Sequence, residues 1–473
     1  MAPNSLSPPR AETAVRLPAP ADFHARLLAS PVGRLVTRPW FDRVALKLGL
    51  GAYLPLSRAW AAATVSEGSL ARFHAEVPIG RLPSMVERGL PRALARIAEL
   101  NFVHSAVERE WEMAYFGTPD ASADRLVMAE CARRDASDSL MKGRLAFLPM
   151  RLQSAVPAVR FDIPTFDKVM ERYGASLQDY ERAYMMPDEP PAIVESRRVP
   201  SSLGTEYWLK FPSGNPAVGQ YAWAHVFEPE GVKDPPSLVY GHGLAMEIEA
   251  MEGAVEGSND IVTQGIRFIR LEAPWHSRRR LPGRYGGEPF MAAPPLGALD
   301  LFSAEVREMA ALIAWCRSNS SGRVAVGGTS LGALASQLVV THCRHWPKVY
   351  RPDVAFLATT TQDVGSLSFD SSLAKLIKVP EALSAAGWTR EMFDRWRPLT
   401  DPHDEPPLDP ADIVMVLGRV DTVTPFERGL RMARSWRIPD GNLFMRDAGH
   451  FSVSLDLNRD PAPLYKVAAR LKR

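Results

Sequence analysis

A serine hydroxyl is a weak nucleophile until a neighbouring imidazole takes its proton. The imidazole in turn needs a carboxylate to hold its tautomer and stabilise its cationic form. Three stretches of this chain supply those groups. The run Arg323-Val-Ala-Val-Gly-Gly-Thr-Ser-Leu-Gly-Ala-Leu-Ala-Ser336 passes from β-rich residues through Gly328-Thr-Ser-Leu-Gly332 into helix formers. In that strand–turn–helix setting the turn pushes the Ser330 hydroxyl into the open, and the flanking glycines let strand and helix approach. The amide of Leu331 then stands at a helix start facing the same space, where a helix amino terminus favours developing negative charge. Ile413-Val-Met-Val-Leu417 leads into Gly418-Arg-Val-Asp-Thr-Val-Thr-Pro425, which sets Asp421 just beyond a buried strand. Finally, Arg446-Asp-Ala-Gly-His-Phe451 puts His450 after a glycine, in a loop free to swing toward Ser330. Ser330 is thus the candidate nucleophile, His450 the base and Asp421 the acid. Asp363 is the runner-up for the acid and Asp447 a weaker one.

The elements that must position these residues follow from hydrophobic patterning. Residues 205–211 and 220–227 read as a strand pair joined through Pro212-Ser-Gly-Asn215. Short apolar strands over 237–240, 266–271, 323–326, 354–358, 413–417 and 442–445 then alternate with helical stretches. Apolar runs are the mark of strands buried on both faces, and their alternation with helices predicts a largely parallel sheet. Chemistry in such sheets gathers at the carboxyl ends of the strands. The first half is mostly helical. Leu94, Ile97, Leu100, Val103, Val107 and Trp111 recur at spacings of three and four, which predicts an amphipathic helix over 93–116. Further helices are expected over 21–30, 41–48, 125–134 and 164–184. Met186-Pro-Asp-Glu-Pro-Pro191 forms a natural joint, because proline blocks helix continuation. The expected division is a helical cap or scaffold over 1–190 and an α/β domain over 191–473. Between two core strands, residues 365–410 make an insertion with a helical run over 372–385 and the aromatics Trp388, Phe393 and Trp396, which reads as a lid.

Residues 200–473 resemble an α/β-hydrolase domain. They carry His242-Gly-Leu244, Gly328-Thr-Ser-Leu-Gly332, Asp421 and Gly449-His-Phe451 in the chain order that this fold uses. The resemblance implies the α/β-hydrolase fold, a mostly parallel twisted sheet flanked by helices. It also implies ester, thioester or amide substrates, with no metal and no organic cofactor. In that family a second oxyanion donor comes from the loop after an earlier strand. Here that loop ends Ser237-Leu-Val-Tyr-Gly-His-Gly-Leu244, which implies the Leu244 amide as partner to that of Leu331, with Ala245 the alternative. A further loop, Ala273-Pro-Trp-His-Ser-Arg-Arg-Arg-Leu-Pro-Gly-Arg-Tyr-Gly-Gly-Glu288, is similar to the Pro-x-His-x-x-Arg loop of a lipase-like branch. Arg278, Arg279, Arg280 and Arg284 cluster there, just past a strand end. His242, His276, Arg279 and Arg280 are the candidate substrate-binding residues, the arginines for a carboxylate or phosphate group. An internally paired basic loop is the alternative.

Composition narrows the class. With 46% hydrophobic and 23% charged residues the chain reads as soluble and globular, and a formal charge of +2 gives no reason to expect nucleic acid as partner. Three widely spaced cysteines fit neither a disulfide framework nor a metal site and suggest a reducing compartment. The first twenty residues lack the apolar core of a signal peptide, so a cytoplasmic location is expected. Residues 1–64 hold eight Lys/Arg against three Asp/Glu, together with Leu46, Leu48, Leu50, Tyr53, Leu54 and Trp60. That segment either touches an anionic membrane surface or docks on the hydrolase domain. The expectation is a cofactor-free serine hydrolase cleaving small-molecule or lipid carboxylic esters through an acyl-enzyme. Acyl transfer, thioester or amide cleavage would use the same residues, and a non-catalytic binding module is the reading from another class.

Overall fold

The computed structural model describes residues 16–17, 39–80, 82–117, 121–244, 258–402 and 405–473. The helix expected over 21–30 and the alternative donor Ala245 lie outside them. The helices of the amino-terminal half include α1 (Pro39–Val44), α2 (Gly51–Ser66), α3 (Ser84–Glu112), α4 (Ala123–Lys142) and α5 (Phe166–Gln178). A π-helical turn, Ala45–Leu50, joins α1 to α2. The helix expected over 93–116 therefore starts earlier, at Ser84, and carries Pro91 within it. Its apolar stripe does not face a single core. Leu90, Leu94 and Ile97 are buried in one cluster and Trp111 in another beside Trp208 and Trp223, while Phe102 and Val103 between them are exposed.

Residues 185–193 form neither helix nor strand, and the sheet begins after them. Its strands are β1 (Val194–Glu195), β2 (Val199–Ser201), β3 (Gly204–Pro212), β4 (Tyr221–Pro229), β5 (Ser237–Gly241), β6 (Arg267–Leu271), β7 (Val324–Thr329), β8 (Val354–Ala358), β9 (Ile413–Gly418) and β10 (Leu443–Arg446). They lie in the order β1-β3-β4-β6-β5-β7-β8-β9-β10, with β2 paired to β3. The expected strand pair forms as β3–β4, which is antiparallel, and β4 joins β6 antiparallel; from β6 to β10 every pairing is parallel. Neighbouring residues of the central strands point into different cores. Val239, Ile269, Val326, Leu357 and Met415 meet α6 (Leu296–Asn319) and α7 (Leu331–His342) on one face. Leu238, Phe268, Ala325, Phe356 and Val416 meet α9 (Ala462–Leu471), which follows α8 (His450–Asp456), on the other. Two covered faces are why these strands read as unbroken apolar runs. The fold is that of the α/β hydrolases.

The insertion over 365–410 is built of short helices, among them Leu367–Asp370, Ser372–Leu376, Val379–Ala385, Arg390–Asp394 and Arg397–Thr400. The helical run expected over 372–385 is broken at Lys378, which adopts φ 64°, because Pro380 has no N–H to continue the preceding helix. The insertion shares one core with the amino-terminal helices. Trp60, Leu94 and Phe147 pack in the same cluster as Met291, Leu296, Ile377, Trp388, Phe393 and Trp396. The Trp388 indole N–H donates to the Pro164 carbonyl at 2.7 Å, tying the two segments together. Leu54 and Trp60 thus face protein, not solvent. Among the described residues no helix is long and apolar enough to cross a membrane.

Candidate active site

Strand β7 runs three residues beyond its expected end at Val326, to Thr329, and delivers Ser330 directly at the start of α7. Ser330 adopts φ 55°, ψ −116°, a region that L residues rarely occupy. Its amide is held by the Ala358 carbonyl at 2.9 Å and the Thr359 hydroxyl at 3.2 Å. The turn is possible because three glycines meet. A Cβ on Gly328 would stand 2.5 Å from the Gly241 carbonyl oxygen, and one on Gly332 would overlap the same carbonyl. Gly241 ends the adjacent strand β5, so the glycines serve the approach of a neighbouring strand as well as the elbow itself. Sequence reasoning missed Gly241, although the Tyr-Gly-His-Gly run contained it.

The three candidate residues converge. His450 Nε2 lies 2.9 Å from Ser330 Oγ, and His450 Nδ1 lies 2.8 Å from Asp421 Oδ2. Asp421 and His450 are both 6% exposed. The Asp421 carboxylate is fixed from its own turn: Oδ1 accepts the amides of Val423 at 2.8 Å and Thr424 at 2.9 Å. The Thr424 hydroxyl stands 2.8 Å from Asp421 Oδ2 and 3.2 Å from His450 Nδ1, so it braces the acid–base contact. Thr424 also went unremarked in the sequence, since a threonine after a strand end carries no signal of its own. His450 differs from expectation in one respect. It opens helix α8, whose first bond runs from the Val453 amide to the Gly449 carbonyl at 3.0 Å, and it is not in a swinging loop. The alternative acids lie elsewhere: Asp363 faces Arg428 at 3.8 Å, and Asp447 faces Arg419 at 3.4 Å with its side chain 87% exposed.

Leu331 is the first residue of α7, so its amide has no partner within the helix. Leu331 and Leu244 both line the cavity onto which Ser330 opens. His242 holds the second loop in place. Its carbonyl accepts the Gly332 amide at 3.0 Å, its Nε2 accepts the Ala273 amide at 3.1 Å, and Nδ1 faces the Gly243 carbonyl at 2.8 Å. That pattern assigns the proton to Nδ1. Burial holds the His242 imidazole well below its usual range, with the neighbouring His276 adding to the effect. His276 is held down to about 4, by burial first and then by the Arg279 charge.

None of the four proposed substrate contacts lines the cavity at Ser330. His242 and His276 are buried with their rings 4.9 Å apart, beneath the loop. Arg279 turns inward and grips Glu308 through both guanidinium nitrogens at 2.7 Å, with the Glu272 carbonyl as a further acceptor at 2.7 Å. Arg280 lies over the Trp60 ring at 4.6 Å. Arg278 stacks on Trp111, Trp208 and Trp223 at 4.3 to 4.7 Å, and Arg284 reaches Glu288. The basic loop is internally paired, with acidic and aromatic partners on α2, α3, α6, β3 and β4 as well as at Glu288 close by in sequence.

The cavity itself has a volume of about 150 Å³. Its walls include Leu50 and Leu54 before and in α2, Phe290 and Met291 after the basic loop, Leu334 in α7, and Ile377 and Trp396 in the insertion. Among the described residues no Asp, Glu, Lys or Arg lines it.

The structure thus brings together a serine in a strained elbow at a strand end, an imidazole and a buried carboxylate. No family profile matches the chain, and no curated protein matches it in sequence. Similar solved structures include an acetyl xylan esterase from Thermoanaerobacterium, at 14% identity over 63% of this chain and 95% of that one, with a TM-score of 0.40. An S-formylglutathione hydrolase from Agrobacterium tumefaciens shows 14% identity over 58% of this chain and 98% of its own, with a TM-score of 0.39. Brefeldin A esterase, described as a bacterial homologue of human hormone sensitive lipase, shows 16% identity over 66% and 90% respectively, with a TM-score of 0.37.

Proposed function

We propose that the chain is a serine hydrolase of neutral carboxylic esters, working through an acyl-enzyme on Ser330. The observation that carries this reading is the unbroken relay from Ser330 Oγ to His450 Nε2 at 2.9 Å and from His450 Nδ1 to Asp421 Oδ2 at 2.8 Å. His450 Nε2 takes the serine proton as Oγ bonds to the ester carbonyl carbon, and the carbonyl electron pair moves onto oxygen. The amides of Leu331 and Leu244 hold that oxyanion; removing one such donor typically costs about 2.7–4 kcal/mol of barrier stabilisation. Collapse breaks the bond to the alcohol oxygen, which leaves with the proton from Nε2. Water then gives a proton to Nε2 as its oxygen bonds to the acyl carbon; the acyl bond to Oγ breaks, Oγ takes the proton from Nε2, and the free acid leaves. Asp421 accepts the Nδ1–H throughout and keeps the ring oriented.

The apolar cavity favours uncharged acyl groups over anionic ones, since it offers a charged substrate group no partner. A fluorophosphonate probe should label the wild-type chain and leave Ser330→Ala unlabelled. Hydrolysis of p-nitrophenyl esters should fall by about 10⁴-fold or more in that variant. A wild-type chain that neither labels nor turns over an acetate-to-palmitate series would falsify the proposal.

A further inference from the structure

We propose that Asp42 is a positioning residue for His450, so that the reach of the base is set from the amino-terminal helix α1. The inference rests on the reading of Ser330, His450 and Asp421 as catalytic. Asp42 stands 407 positions before Gly449 in sequence, yet its 9%-exposed side chain closes on the turn that holds the base. Oδ2 accepts the Gly449 amide at 3.1 Å and the Ser452 hydroxyl. Oδ1 accepts the Phe451 amide at 2.7 Å and, at 3.4 Å, the Ser452 amide. The residues directly before and after His450 are therefore clamped by the two oxygens of one carboxylate. A buried carboxylate is costly unless its lone pairs are filled, and here one turn fills them.

Gly449 gives an independent sign of the same fit. Its φ of −98° is open to any residue, so backbone strain does not call for glycine there. A Cβ at that position would, however, stand 2.5 Å from Asp42 Cγ and 2.7 Å from Asp42 Cβ. The glycine before the base is the space into which Asp42 fits.

Asp42 does not line the cavity at Ser330. Its loss should therefore disturb the placement of the base and leave ester binding alone. The experiment compares Asp42→Asn, Asp42→Ala, Gly449→Ala and the Asp42→Ala/Gly449→Ala double variant with the wild-type chain, below the melting temperature of each. The readouts are kcat and KM on p-nitrophenyl butyrate and the rate of fluorophosphonate labelling. Misplacement of a catalytic group by about 1 Å can cost about 100-fold, and we expect a loss of that order in kcat for Asp42→Ala and Gly449→Ala. For the near-isosteric Asp42→Asn, which keeps one acceptor, a loss of about tenfold is expected. KM should stay within about twofold of wild type, labelling should slow in parallel, and the double variant should be no worse than its poorer single, because both changes break one contact. Wild-type kcat in folded Asp42→Ala overturns the inference, as does a rise in KM at constant kcat or a multiplication of losses in the double variant. An inert wild-type chain removes the hydrolase reading itself, and this inference with it; an active wild type with active Asp42 variants removes this inference alone.

Discussion

Arg279 shows how a residue chosen for its charge can have that charge consumed by the fold. Its guanidinium and the Glu308 carboxylate, 3% and 0% exposed, form a two-pronged pair behind the sheet. Such a pair is weak evidence of net stabilisation, but breaking it leaves an uncompensated buried charge at a cost of about 3–5 kcal/mol. Arg279→Gln should therefore lower the unfolding free energy by about 3–5 kcal/mol, read as a lower urea midpoint at unchanged m, with KM for neutral and anionic esters responding alike. A normal midpoint with KM raised for anionic esters only would mean that Arg279 does meet substrate. Ser330 lies at the opposite extreme, since its strained backbone costs on the order of 1–3 kcal/mol and persists because β8 and β5 hold it from either side.

At the scale of elements, the insertion over 365–410 is a wall. Its aromatic residues share a core with α2 and α3, and its apolar side chains complete the cavity above Ser330. Ile377, 5% exposed, is one of those cavity residues. Ile377→Trp should fill the space a longer acyl chain would occupy. Relative to acetate, kcat/KM for octanoate and longer esters should fall by about tenfold, the scale on which apolar pockets discriminate chain length. An unchanged chain-length profile would show that substrate does not enter past the insertion. The same packing makes α2 and the π-helical turn before it part of the site's construction, since Leu50 and Leu54 face the cavity from the amino-terminal side.

For the whole molecule, the acid–base balance of the interior matters most at Glu305. This glutamate lies in α6 with no exposure, and neither carboxylate oxygen has a hydrogen-bond partner among the described residues. Burial, reinforced by the neighbouring Glu308, holds its carboxyl well above the usual range, so folding favours its protonated form. A carboxyl raised on folding favours the native state fully below the ordinary value of 4.5 and progressively less as pH rises toward the folded value. Glu305→Gln removes that dependence. The unfolding free energy of this variant relative to wild type should increase with pH above 4.5. A difference that stays flat between acidic and neutral pH would show that Glu305 does not titrate between the folded and unfolded states. Cys316 and Cys343 are quiet by the same physics, because burial pushes both thiols up to about 12 and leaves no thiolate to compete with Ser330.

Local patterns determined a good part of this protein without any coordinates. Apolar runs marked the parallel strands because side chains buried on both faces leave no polar positions, and boundaries moved only slightly, as at β7, which runs on to Thr329. The Gly328 to Gly332 turn marked Ser330, and strand ends marked Asp421 and His450, because each signal lies within a few residues of the group it announces. Tertiary structure decided whatever depends on segments far apart in sequence. It alone turned Arg279 and Arg280 inward, joined the insertion to the amino-terminal helices, and brought Asp42 to the turn of His450. The physical reason is that a side chain's period and neighbours reveal which face it occupies, but the partner it meets there is chosen by packing of the whole chain.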